Sequence, residues 1–112
     1  MEKSQKELVG ASTDIVILNV LAEEPSYGYK IVKRINDVAE GLFKWQEGTV
    51  YPVLHKLEKD KLVRTQWETS DSGRKRKYYY ITAKGRKALE IKTEQWNRFY
   101  DLISGLMEVK NA

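Results

Sequence analysis

Aromatic and basic side chains recur at helical spacing between residues 49 and 59. Tyr51, His55 and Lys59 are four residues apart, with Lys56 beside His55, so they share one side of a helix. Their hydroxyl, imidazole and ammonium groups can donate hydrogen bonds to phosphates and to base edges. His55 is the single histidine. It could contact a base, contact a phosphate or do neither, and it has no second imidazole with which to build a metal or catalytic site.

A second basic run, Arg74-Lys75-Arg76-Lys77, lies farther along the chain. Residues 56–87 hold 11 Lys and Arg against 4 Asp and Glu, a net charge of +7, although the whole chain is only +4. A block of this kind attracts a polyanion such as DNA over about a Debye length. The alternative interpretation is a solvated lysine-rich face, or charges at a sheet edge that block aggregation.

Composition excludes several classes of protein. The 112 residues contain no cysteine, which excludes disulfides, thiolate zinc sites, iron–sulfur clusters and cysteine nucleophiles. The sequence has no glycine-rich phosphate loop, so we expect neither an enzyme nor a metal or cofactor. It has no apolar run of about 18 residues and no signal-peptide core, so we expect a cytoplasmic protein without a membrane partner.

The apolar periodicity predicts which elements position these side chains. The predicted elements are helices at 5–23, 27–38 and 49–60, strands at 62–69 and 74–82 around a turn, and a helix from 83 to about 109. We expect Ser26 to cap the second helix, Gly48 or Thr49 the third, and Thr82 the last.

This order predicts a mainly α fold with a small β hairpin. Residues 1–82 would form a winged helix-turn-helix, and residues 83–112 a long C-terminal dimerisation helix within the same single domain. The third helix is suited to the major groove of DNA, and the hairpin to the backbone or an adjacent minor groove.

The last helix would be about 40 Å long at 1.5 Å per residue, more than so small a domain can cover. Its apolar stripe predicts a two-fold dimer, unless the helix folds back on its own domain. The expected interface residues are Leu89, Trp96, Phe99, Leu102, Ile103 and Leu106. Trp96 would either fill this interface or line a cavity for flat aromatic molecules. The expected lining of that cavity is Trp96, Phe99, Leu8, Ala11 and Ile15.

Three stretches resemble the PadR family of bacterial transcription regulators, and in particular its compact, multidrug-responsive branch. They are 27–31 (YGYKI), 48–58 (GTVYPVLHKLE) and 73–82 (GRKRKYYYIT), followed by Gly85. The resemblance implies a homodimer, a pseudo-palindromic double-stranded operator and release by an effector. The sequence departs from the family pattern at Lys75, where proline is frequent, and at Lys61, where glycine is usual.

Together these features predict a dimeric DNA-binding repressor released by a planar aromatic effector. The expected DNA contacts are Tyr27, Tyr29, Thr49, Tyr51, His55, Lys56, Lys59, Arg74, Lys75, Arg76 and Lys77. The alternative is a protein–protein adaptor that uses the same fold without DNA, which would not need the basic cluster.

Overall fold

The computed structural model describes residues 2–111, and side chains from 2 to 109. The chain forms four helices and three strands within this range. In chain order these are α1 (Lys3–Glu23), β1 (Ser26–Tyr27), α2 (Gly28–Ala39), α3 (Glu47–Lys59), β2 (Val63–Thr69), β3 (Lys75–Ile81) and α4 (Ala83–Asn111). The prediction of a mainly α fold with a small β element is confirmed.

The core lies where the first three helices meet the sheet. Apolar residues three or four apart on each helix point to a common centre. The fully buried side chains are Ile17, Leu18 and Leu21 of α1, Ile31 of α2, Val50 and Leu54 of α3, and Val63 of β2. Burying each such side chain stabilises the fold by about 1.5–3 kcal/mol. This packing fixes α3 on the surface with its opposite side facing solvent.

The hairpin is part of a three-stranded antiparallel sheet in the order β1-β3-β2. Ser26 pairs with Tyr79, and Tyr27 with Tyr78. Ser26 is only 2% exposed and does not cap α2, so that prediction was wrong. The N-cap position belongs to Tyr27, because Tyr27 pairs with Tyr78, some fifty residues away, and so stays extended. The helix therefore begins at Gly28.

The start of α3 also differs from the prediction, which named Gly48 or Thr49 as the cap. The helix is preceded by Gln46, two to three residues earlier. The Asn36 amide brackets Trp45, donating to its carbonyl at 2.9 Å and accepting from its N–H at 3.0 Å. Since the Trp45 side chain is buried as well, the chain is anchored at this residue, and α3 begins two residues later at Glu47.

A tight reversal connects α3 to β2. The N–H of Leu62 donates to the carbonyl of Leu57 at 2.9 Å, and that of Lys61 to Glu58 at 3.0 Å, the Schellman pattern of a helix end. Lys61 has a φ of 62°, a left-handed conformation in which glycine has no Cβ penalty. The lysine at this position therefore carries a local strain.

Thr82 caps the long helix α4, as predicted. The Thr82 hydroxyl accepts the N–H of Gly85 at 3.0 Å and donates to the carbonyl of Lys61 at 2.8 Å. The first half of α4 packs on α1, where Lys92 forms an ion pair with Asp14 at 2.8 Å. At 1.5 Å per residue the 29 residues of α4 extend about 43 Å, so its second half projects beyond the body.

Candidate nucleic-acid interface

A cleft of about 730 Å³ separates α3 from the β2–β3 hairpin. Eight of the eleven predicted DNA contacts line it, namely Tyr27, Tyr29, Tyr51, His55, Arg74, Lys75, Arg76 and Lys77. They come from the start of α2, from α3 and from the hairpin. Packing of α3 against the sheet brings these three segments to one concave, basic surface.

The α3 wall of the cleft depends on Tyr51 and Gly28. The Tyr51 ring lies so close to Gly28 that a Cβ at residue 28 would overlap it. Glycine is required there to let the phenol approach the start of α2. Burial and the neighbouring Glu47 carboxylate raise the pKa of the Tyr51 phenol, which stays protonated at neutral pH and can donate a hydrogen bond.

The hairpin wall is ordered by aromatic stacking. The Arg76 guanidinium lies 4.3 Å from the centroid of the Tyr27 ring, and Tyr27 meets Tyr78 edge to face at 5.4 Å. A cation over a ring face is attracted by the ring quadrupole. The start of α2 therefore holds Arg76 in a fixed direction while leaving its charge unpaired by any carboxylate within the described residues.

Lys77 differs from the other three basic residues of the hairpin. Its ammonium group lies 3.5 Å from the Glu58 carboxylate, and both side chains are partly buried. Glu58 also accepts the Thr65 hydroxyl at 3.0 Å. These contacts tie the hairpin to α3, so the geometry gives Lys77 a positioning role.

The outer side of the hairpin carries a separate cluster. Arg64 stacks over the Tyr80 ring at 4.2 Å, and the Tyr80 hydroxyl donates to Glu68. That hydrogen bond raises the pKa of Tyr80. The cluster stiffens the two strands from the side away from α3.

Three predicted contacts lie outside the cleft. Thr49 lines a depression with Lys6 and Lys44, and Lys56 one that faces α1. Lys59 is exposed at the C-terminal end of α3. The solvent side of α3 thus offers polar groups on both sides of its exposed His55.

Four residues that line the cleft were not among the predicted contacts, namely Gly28, Glu47, Trp67 and Tyr79. Glu47 lies in the first turn of α3, and Trp67 on β2. The predicted start of α3 left Glu47 in a loop. Trp67 was expected on a strand, but the assignment of a strand does not say which of its faces is covered.

A smaller cleft of about 380 Å³ lies between α1 and α4. Trp96 and Phe99, edge to face at 6.4 Å, line it together with Ala11, as predicted. Asp14, Lys92 and Gln95 also line it and were not foreseen. Leu8 and Ile15 are not among its lining residues; Leu8 is exposed and Ile15 partly so.

The second half of α4 exposes an apolar face. Of the residues predicted for a dimer interface, Phe99, Leu102, Ile103 and Leu106 are exposed, while Trp96 is partly buried. Leu89 instead packs against the core of its own chain. The face is extended by Tyr100, Met107 and Val109.

No helix within residues 2–111 is long and apolar enough to cross a membrane. The same part of the chain contains no group of three or more His, Cys, Asp or Glu side chains arranged to hold a metal ion.

Comparison with known proteins supports the fold and names a family. Residues 17–91 match the family described as Transcriptional regulator PadR-like. A transcriptional regulator from Clostridium thermocellum, Cth-833, superimposes with a TM-score of 0.80 at 29% identity over 93% of this chain and 95% of its own. The PadR-like regulator BC4206 of Bacillus cereus superimposes with a TM-score of 0.80 at 31% identity, over 90% of this chain and 96% of its own. Uncharacterized protein X of Lysinibacillus sphaericus is 30% identical over 93% of this chain and 95% of its own length.

Proposed function

The chain belongs to the PadR-like family of transcriptional regulators, and from this premise we propose that it represses transcription as a dimer on a pseudo-palindromic DNA operator. The observation that carries the proposal is the basic cleft between α3 and the hairpin. The positive charge of the cleft and its aromatic hydrogen-bond donors are suited to binding a nucleic acid. We place this function in the cytoplasm.

In this proposal α3 lies in the major groove. His55, Lys56 and Lys59 are exposed along it, and Tyr51 and Thr49 flank them. Side chains on a helix in that groove reach base edges, which are distinct for each base pair. The hairpin follows the sugar–phosphate backbone through Arg74, Lys75 and Arg76, and Tyr27 and Tyr29 support it from the start of α2.

The test is selection of DNA from a random pool followed by affinity measurement on the selected duplex and on a scrambled duplex. We expect tighter binding to the selected duplex, with two half-sites about 34–36 Å apart or at a multiple of that spacing. A chain that binds neither duplex at low salt would refute the proposal and favour the protein–protein adaptor.

We propose that the two copies meet through the apolar face of α4. So many exposed apolar side chains on one projecting helix are an aggregation liability unless a partner covers them. Leu102→Glu with Leu106→Glu should yield monomers in analytical ultracentrifugation. Asn97→Glu, on the polar side of the same helix, adds a carboxylate as a matched control and should leave the dimer intact.

We further propose that the cleft at Trp96 takes a planar aromatic effector. Ring faces stack on flat molecules and attract cations. The effector would release DNA only if it binds better to a dimer whose α3 helices are wrongly spaced. By linkage, saturating operator DNA must then weaken dye binding by the same factor. An unchanged dye affinity would contradict the effector role.

A further inference from the structure

Trp67 is a large apolar side chain left in solvent next to a basic surface. It is 66% exposed and lies near the end of β2, two residues before the strand ends at Thr69. Neither the DNA contacts proposed above nor the apolar face of α4 includes it. A single exposed apolar side chain is ordinary by itself, but this indole lines the basic cleft between α3 and the hairpin.

The direction of the Trp67 side chain follows from the pattern of β2. Side chains alternate between the faces of a strand, so Val63, Thr65 and Trp67 share one face. Val63 is buried in the core, and Thr65 donates to Glu58 of α3 at 3.0 Å. Trp67 therefore projects on the α3 side of the hairpin, where it lines the cleft.

The surroundings of Trp67 identify the chemistry of its partner. It is paired across the strands with Lys77, and Arg74, Lys75 and Arg76 line the same cleft. A protein surface with a positive charge would be repelled by the three cations that have no carboxylate partner in the described part of the chain, Arg74, Lys75 and Arg76. Duplex DNA offers both negative charge for the cations and apolar surface for the indole. Its phosphates pair with the cations, and its deoxyribose rings and base faces are apolar.

We propose that Trp67 is the apolar DNA contact of the hairpin, lying against the sugars and base edges of the groove that the hairpin reaches. This rests on the DNA-binding function proposed above. The basic residues bring the hairpin to the phosphates, and the indole is desolvated against the groove wall. Such a contact adds affinity without releasing counterions, which separates it from the contribution of the neighbouring cations.

The experiment measures the affinity of the full chain for the selected duplex at several salt concentrations. Trp67→Ala should weaken binding about tenfold, because the apolar surface that the indole buries against the groove wall is lost. The slope of log K against log salt should stay within about 0.5 of that of the wild type, because no phosphate contact is lost. Trp67→Phe keeps an aromatic ring and should recover most of the affinity. Leu42→Ala removes an equally exposed apolar side chain outside the cleft and should bind as the wild type does.

Fluorescence provides an independent readout. Trp45 is buried and Trp96 partly so, so the difference in emission between wild type and Trp67→Phe reports mainly on the exposed indole. DNA should quench or blue-shift that difference. Unchanged affinity in Trp67→Ala, a changed salt slope or an unaltered emission difference would each overturn the proposal while leaving DNA binding itself intact. If the wild type binds no duplex, both this proposal and the proposed function fail.

Discussion

Removing the positive charges of the hairpin should flatten the salt dependence of DNA binding. The size of the change depends on which of these charges are already paired with a carboxylate in the structure. Lys77 is already paired with Glu58, whereas Arg74, Lys75 and Arg76 have no carboxylate partner within the described residues. Three free cations on phosphates contribute about 0.9 each to the slope of log K against log salt. Replacing all three by glutamine should therefore flatten the slope by about 2.7 per hairpin, and by about 5.4 when both hairpins of a dimer contact the duplex.

The assay is fluorescence anisotropy with a labelled duplex at salt concentrations from about 50 to 200 mM. Lys77→Gln is the matched control on the same strand, and its slope should equal that of the wild type. Two results would contradict this prediction: a triple variant whose slope equals that of the wild type, or a Lys77→Gln variant whose slope is flatter by about 0.9. The first would mean that the hairpin does not touch the backbone, and the second that the ion pair with Glu58 opens on DNA.

Three further predictions concern base recognition, the second cleft and the strained turn. Tyr51→Phe keeps the ring against Gly28 but removes the hydroxyl donor. It should weaken binding to the operator by about 1 kcal/mol and weaken binding to scrambled DNA by less. Equal losses on both duplexes would mean that Tyr51 contacts the DNA backbone and not a base. Trp96→Ala should still dimerise but lower the affinity for a planar dye about tenfold, measured by calorimetry; unaltered affinity would place the ligand elsewhere. Lys61→Gly should raise the free energy of unfolding by about 1 kcal/mol, since φ is positive there. Lys56→Gly, inside α3, should lower it by about 1 kcal/mol; denaturant titration compares the two, and a destabilised Lys61→Gly would contradict the strain argument.

The sequence alone was sufficient for most of the helices and both long strands. Apolar residues at intervals of three and four mark α1 and α3. The hairpin is marked by the alternating pattern of its first strand, a Ser-Asp-Ser-Gly turn and a second strand rich in tyrosine. These signals are local, because periodicity follows from the geometry of a single helix or strand packed on one side. The basic run of the hairpin could be read for the same reason, since its charges are adjacent in the chain.

The cap at Thr82 could also be predicted, because it depends on a few neighbouring residues, whereas at Lys61 the sequence showed only a departure from the glycine that is usual in the family. The confirmed cap is a contact over three residues, and the positive φ of Lys61 follows from the way a helix ends. The functions of the individual cleft residues remain predictions.

Contacts between distant parts of the chain determine which of the candidate side chains are free to act. Ser26 is a strand residue because of β3, Asn36 sets the start of α3 by holding Trp45, and Lys77 is engaged by Glu58. Each of these contacts joins residues from nine to some fifty positions apart. Residue type and spacing specify what a side chain can do, but its neighbours from distant parts of the chain determine whether its charge is already paired, as for Lys77, or its surface still in water, as for Trp67.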